Sequence, residues 1–154
     1  ARTWFQERGI TDEVLERNKI TDGPEWLPQV EKEVNTIQFP YIKNGEVINV
    51  KYRDAEKNFK MVKDAERTLY GYDDIEDDTL IWEEGEIDKL SVEVAGLTSC
   101  VSVPNGASDK LDFLESIEDR LKEVKIHVLA LDNDEPGKKL QQEVIRRLGP
   151  EKCK

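Results

Sequence analysis

Between residues 46 and 53 polar and apolar side chains alternate. Ile48, Val50 and Tyr52 lie on one side of an extended chain, and Val47, Asn49, Lys51 and Arg53 on the other. The Asn44-Gly45 pair just before this stretch suits a two-residue hairpin turn, whose central positions both need positive φ. Strands are predicted over 36–42, 46–53 and 59–62, with Lys51 and Arg53 together on an open sheet face. Upstream, 3–9 and 11–18 read as two short helices. Trp4, Phe5, Val14 and Leu15 supply their apolar contacts, Thr11 an N-cap and Gly9 a stop. Residues 20–29 carry Gly23, Pro24 and Pro28 and read as a loop, with Trp26 and Leu27 turned inward.

Beyond about residue 78 the period changes. Apolar runs at 79–82, 100–103 and 125–131 alternate with amphipathic stretches at 86–95, 109–121 and 136–148. This strand-helix alternation is the signature of parallel βαβ units with right-handed crossovers. Gly96 marks a helix stop, and Pro136 suits a first helical turn, where a missing N–H costs little. The change of period places a domain boundary near 75/76.

Composition narrows the class. The chain has 154 residues, 37% hydrophobic and 37% charged, which suffices for one ordinary domain or two small lobes and is too polar for a membrane protein. No charged-then-apolar leader opens at Ala1, and a start without Met points to a processed or excised piece. Cys100 and Cys153 are isolated, which argues against a disulfide framework or a thiolate zinc site. The net charge of −11 argues against a generic nucleic-acid binder. Its distribution says more: residues 73–93 hold ten acids against Lys89 alone, whereas 43–67 are net positive by two.

The acids carry the chemistry. The 125–131 run ends in Asp132, Asn133 and Asp134, and the 79–82 run ends in Glu83, Glu84 and Gly85. Open α/β sheets bind ligands outside the carboxyl ends of their strands, so carboxylates from two strand ends converge on a functional edge. Asp132 and Asp134, completed by Glu84, suit Mg²⁺, which prefers one or two carboxylates with waters and substrate phosphates. Asp88, one turn into the following helix, points back toward Glu84. The competing reading is that the aspartates merely cap the next helix and Glu84 is a solvated charge. Two acidic strand ends in successive βα units favour the metal reading. His127 and Trp82 are read as structural.

These residues match a family. Glu84-Gly85-Glu86-Ile87-Asp88 after one strand and Asp132-Asn133-Asp134-Glu135 after another resemble the Toprim domain of primases, topoisomerases and some nucleases. The stretch Val101-Ser102-Val103-Pro104-Asn105-Gly106-Ala107-Ser108 resembles the middle Toprim strand and its glycine turn in phage primase-helicases. The run from Lys51 to Lys60 and the opening Trp4-Phe5-Gln6-Glu7-Arg8-Gly9-Ile10 resemble the N-terminal subdomain of the same proteins. The likeness is greatest to Twinkle-like primase-helicases of plant organelles and their phage relatives.

The resemblance implies an α/β fold with an N-terminal helical and antiparallel α+β basic subdomain (1–75), then a truncated Rossmann-like Toprim parallel sheet (76–154) lacking its final strand. It implies a DNA primase: Mg²⁺-dependent nucleotidyl transfer, with Mn²⁺ as a substitute, making short RNA primers from ribonucleoside triphosphates on a single-stranded DNA template. Glu84, Asp132 and Asp134 become metal or acid-base candidates, supported by Asp88. Lys51, Arg53, Lys57, Asn58 and Lys60 become nucleotide or phosphate contacts, with Asn105, Gly106 and Lys138 as weaker ones. The implied partners include a replicative helicase or DNA polymerase and no membrane. The implied location is mitochondrion or chloroplast, with phage or bacterial cytoplasm as the alternative. Two rival functions stay open: a non-catalytic single-stranded nucleic-acid-binding module, and a Toprim nuclease. Neither a zinc module nor a Walker sequence occurs in these 154 residues.

Overall fold

The computed structural model describes residues 1–106 and 110–154. They form two compact units, Ala1–Glu66 and Arg67–Lys154. The division falls before the expected 75/76, because Leu69 and Ile75 are buried in the hydrophobic core of the second unit.

The first unit begins with α1 (Arg2–Gln6) and α2 (Asp12–Arg17), the latter capped by Thr11, whose hydroxyl accepts from the Val14 N–H. An antiparallel sheet follows, of β1 (Thr21–Leu27), β2 (Lys32–Lys43), β3 (Glu46–Arg53) and β4 (Phe59–Met61), paired in chain order. Asn44 and Gly45 have φ of 53° and 80°, as the predicted hairpin turn requires. Phe5 packs edge-on against Phe39 at 6.4 Å, seating α1 on the sheet.

Residues 20–29 are mostly strand β1 and not the expected loop. Pro24 is tolerated because β1 is an edge strand and its proline need not donate to a further neighbour. Leu27 is fully buried as expected, but Trp26 is 53% exposed, because consecutive strand residues face opposite ways. The open face assigned to Lys51 is likewise not open. Lys51 is only 9% exposed and Asn49 beside it 4%, since their face of β3 is covered.

The second unit is a parallel sheet of β5 (Thr79–Glu83), β6 (Cys100–Ser102) and β7 (Ile126–Leu129), with β5 in the middle. Helices α3 (Glu86–Val94), α4 (Glu118–Glu123) and α5 (Glu135–Leu148) complete the expected alternation. The helix expected over 109–121 is instead a 3-10 segment, Asp112–Ile117, running into α4. Leu111, Leu114 and Ile117 recur every third residue, which stacks them on one face of a helix with three residues per turn. The expected start at Asp109 lies outside the described residues, as do Ala107 and Ser108. Backbone hydrogen bonds also run between β7 and Lys152–Lys154, for example His127 N–H to the Lys152 carbonyl at 2.7 Å.

Two polar groups are locked inside this unit. The Trp82 indole N–H donates to His127 Nδ1 at 3.1 Å, so the imidazole is neutral with its proton on Nε2. Lys89, 0% exposed, donates to Asp74 and Glu93 at 2.6 Å each and ties α3 to the segment preceding β5. His127 and Trp82 are thus buried and bonded to each other inside this unit.

Loss of hydration, then the charge of Lys152, depress the His127 pKa to about 4. The unfolded chain therefore takes up a proton near 6.5 that the folded chain refuses. His127 contributes full stability above that value, and the contribution is lost as pH falls toward 4, by roughly 2 to 3 kcal/mol. Urea unfolding of the parent and His127→Gln between pH 7.5 and 4.5 should show a gap that changes in this window; parallel curves would refute the assignment. Replacing Lys89 by Met strands the buried Glu93 carboxylate and the partly buried Asp74 and should cost about 3–5 kcal/mol by the same assay.

Candidate functional site

At the carboxyl ends of β5 and β7 the chain turns sharply into α3 and α5. Gly85 is the N-cap of α3, and a Cβ there would lie 2.9 Å from the Asp88 carboxylate. Asp134 is the N-cap of α5, its Oδ1 accepting from the Gly137 N–H at 2.8 Å. The capping role weighed against metal binding is thus real for one oxygen of Asp134. Glu84 Oε1 accepts from the backbone N–H of Asp132 at 3.0 Å, which joins the two strand ends directly. Gly137 is buried against this junction: a Cβ would stand 2.0 Å from the Asp132 carbonyl oxygen and 2.6 Å from Glu84 Oε1.

The structure therefore gathers Glu84, Asp88, Asp132 and Asp134 at one edge, and their charges act on one another. The Glu84 pKa is raised by loss of hydration, against the Asp132 N–H, which lowers it, and with added repulsion from Asp132, Asp134 and Asp88. Asp88 is raised by loss of hydration and then by Asp132 and Glu86. A further acid emerges that the sequence reading passed over. Glu83, buried at the end of β5, has its pKa pushed up to about 7 by loss of hydration, then by Asp88, Asp132 and Glu84. Strand parity was the available signal, since Leu80 and Trp82 point into the core and Glu83 must point away from it.

Crowded carboxylates with raised pKa values fit a hard divalent cation. Oxygen donors of this kind suit Mg²⁺, which needs only one or two of them beside water and phosphate. Among the described residues no three His, Cys, Asp or Glu side chains stand ready as a closed ligand set. Asn105 is exposed after β6, beside Gly106 with φ of 60°, and Lys138 is exposed in the first turn of α5.

The basic candidates of the first unit have local occupations. Lys60 donates to Glu25 at 2.6 Å and to the Trp26 carbonyl at 3.0 Å. Asn58 donates to both oxygens of Asp54, through its backbone N–H and its side chain, at 2.8 Å each. Lys51 sits 5.1 Å from the centre of the Phe59 ring, and Lys57 is exposed with φ of 62°. Arg53 lies 4.7 Å from the Trp4 ring, and Arg8, which the sequence reading did not single out, lies 3.7 Å from the same ring. Loss of hydration and then the charge of Arg8 lower the Arg53 pKa, so two cations share one aromatic platform.

The fold is that of a primase core, and residues 81–154 match the Toprim-like family. The chain is 38% identical to the Arabidopsis thaliana Twinkle homolog protein, chloroplastic/mitochondrial, and 36% to the primase homolog protein of the same plant. Each match covers 97% of the chain, but it spans only 22% and 47% of those relatives' length. The primase fragment of the bacteriophage T7 primase-helicase has the same fold, with a TM-score of 0.79 at 24% identity, over 97% of this chain and 61% of that one.

Because the Gly137 Cα faces backbone, Gly137→Ala forces α5 away from the junction. It should lower stability by about 1–3 kcal/mol in thermal or urea unfolding, whereas Lys138→Ala, one residue on and exposed, should change it by less than about 0.5 kcal/mol. Equal stability of the two variants would show that the strand ends are not held as described.

Proposed function

We propose that this chain is the catalytic core of a DNA primase, which joins ribonucleotides into short RNA primers on single-stranded DNA. The observation that carries this reading is the junction of Glu84 with Asp132 at the carboxyl edge of a Toprim sheet. Mg²⁺ would be held by Glu84, Asp132 and Asp134, with Asp88 in support and Mn²⁺ as a substitute. When bound, it supplies charge stabilisation to phosphate oxygens during nucleotidyl transfer. The Asp132 N–H holds Glu84 in place, and Asp134 holds the start of α5, so the edge is set before substrate arrives. Arg8 and Arg53 on Trp4, with Lys57, are the proposed contacts for template or nucleotide phosphate, and Asn105 and Gly106 after β6 and Lys138 in the first turn of α5 are proposed as weaker ones.

The name of one plant relative, chloroplastic/mitochondrial, supports a location in mitochondria or chloroplasts, where the proposed role is DNA replication. The proposed partners are a template strand, ribonucleoside triphosphates, and a replicative helicase or DNA polymerase. Labelled single-stranded DNA incubated with ribonucleoside triphosphates and Mg²⁺ separates the alternatives. Extended products mark a primase, shortened template marks a nuclease, and retained complexes with neither mark a binding module. Glu84→Gln and Asp132→Asn should each reduce synthesis by roughly 100-fold and leave template binding within about twofold. Synthesis that survives both substitutions removes the acidic edge from the reaction.

A further inference from the structure

Strand β4 holds its aromatic side chain outside the core of the first unit. Phe59 is 43% exposed, whereas Phe5, Leu27, Phe39 and Tyr41 are each 1% exposed or less. Its backbone is nonetheless fixed from two directions. Phe59 pairs with Arg53 in the β3–β4 ladder, and its carbonyl accepts from the Gln29 side chain at 2.6 Å. Just before it, Asp54 closes the loop between the strands, its carboxylate accepting from the backbone N–H and the side chain of Asn58 at 2.8 Å each. The ring is held in place while much of it stays open to solvent.

The neighbours of this ring on its face of the sheet are cations. Residues directly opposite each other on paired strands share a face, so Phe59 lies beside Arg53 and diagonal to Lys51, whose ammonium is 5.1 Å from the ring centre. Arg53 extends the row to the Trp4 ring, 4.7 Å away, and Arg8 stands 3.7 Å from the same ring. Lys57, two residues before Phe59, is exposed, with φ of 62°. Of the acids in this loop, Asp54 is taken up by Asn58 and Glu56 is exposed. Trp26 is also exposed, but its partner in the β1–β2 ladder is Glu33. Phe59 is thus the exposed ring that cations surround. An aliphatic partner would cover the ring and make no use of the cations, and an acidic peptide would do the reverse. Single-stranded nucleic acid uses both, since its phosphates meet the cations and an unpaired base offers the ring a flat apolar face.

We propose that Phe59 is a stacking platform for one base of a single-stranded DNA template, with an adjoining phosphate on Lys57. The clasp of Asp54 on Asn58 holds the two residues in that relation. The proposal rests on the reading that the chain handles single-stranded DNA, and it assigns within that reading a group that takes a base where the basic residues take phosphates.

Equilibrium binding of the whole chain to a fluorescein-labelled oligo(dT) of about 12 nucleotides, followed by anisotropy at fixed low salt, tests it. Phe59→Ala should weaken binding about tenfold. Phe59→Leu should weaken it nearly as much, because leucine keeps apolar bulk without a π-face, and Phe59→Tyr should stay within about twofold of the parent. A strand of the same length and charge made of tetrahydrofuran spacers has no bases. It should bind the parent and Phe59→Ala alike, yet bind Lys57→Ala more weakly. Thermal unfolding of each variant verifies that the fold is kept. A parent chain that binds neither strand removes the underlying reading and the proposal with it. Phe59→Ala or Phe59→Leu binding oligo(dT) as the parent does, or Phe59→Ala losing equally on both strands, overturns the platform alone and leaves that reading standing.

Discussion

The backbone N–H of Asp132 on the carboxylate of Glu84 is the contact on which the acidic edge depends. It is needed because the groups it unites repel one another. Two carboxylates about 4 Å apart in water oppose each other by roughly 1 kcal/mol, and more where hydration is incomplete. Against this stands the core beneath the edge, where Leu80, Trp82, Leu140 and Val144 are fully buried. Each contributes roughly 1.5–3 kcal/mol. The core therefore wins easily and brings β5 and α5 together, but it does not decide which atoms meet at the top. The Asp132 N–H, the Asp134 cap and the missing side chain of Gly137 decide that.

The two units solve charge in different ways. In the first, cations are largely answered on the spot: Lys60 by Glu25, Lys43 by Glu66, and Arg2 by Asp12. Arg8 and Arg53 differ, because they are held by a ring, whose quadrupole attracts a cation without cancelling its charge. A guanidinium held in this way keeps its field available to a phosphate. In the second unit a single buried lysine, Lys89, neutralises two acids at once, and the carboxylates at the edge are left to one another. Positive platform and negative edge are the complementary requirements of handling a polyanion with a cation as intermediary.

The periodicities carried most of this. The switch from period two to strand-helix alternation yielded the mixed α/β order, and the Asn44-Gly45 turn came directly from the stereochemistry of φ. The β1 strand was hidden because Gly23 and Pro24 are local signals for a turn, and only the sheet's chain order shows that they sit on an edge where a proline is harmless. Lys51 was misplaced for a related reason: parity tells which residues share a face but not which face is covered. That Glu84 and Asp132 meet at one edge was legible because acidic ends on two strands of one sheet are unusual. Glu83 and Arg8 were not. Glu83 owes its raised pKa to burial and then to Asp88 and Asp132, and Arg8 stands out only because Arg53, distant in sequence, lies against the same Trp4 ring.

The long acidic run from Asp73 to Glu93, one feature in the sequence, resolves into three populations with separate physics. Asp74 and Glu93 are spent on Lys89 inside the unit and serve stability. Glu83, Glu84 and Asp88 face the carboxyl edge, where loss of hydration and then their mutual repulsion raise their pKa values. Glu76, Asp77 and Asp78 line a cavity at the amino edge. A parallel strand forces this partition: β5 separates the acids before it from those after it by its own length, and all strands of the sheet share that polarity. One acidic run therefore furnishes two surfaces at opposite ends of β5, while the ion pairs of Lys89 are buried in the same unit.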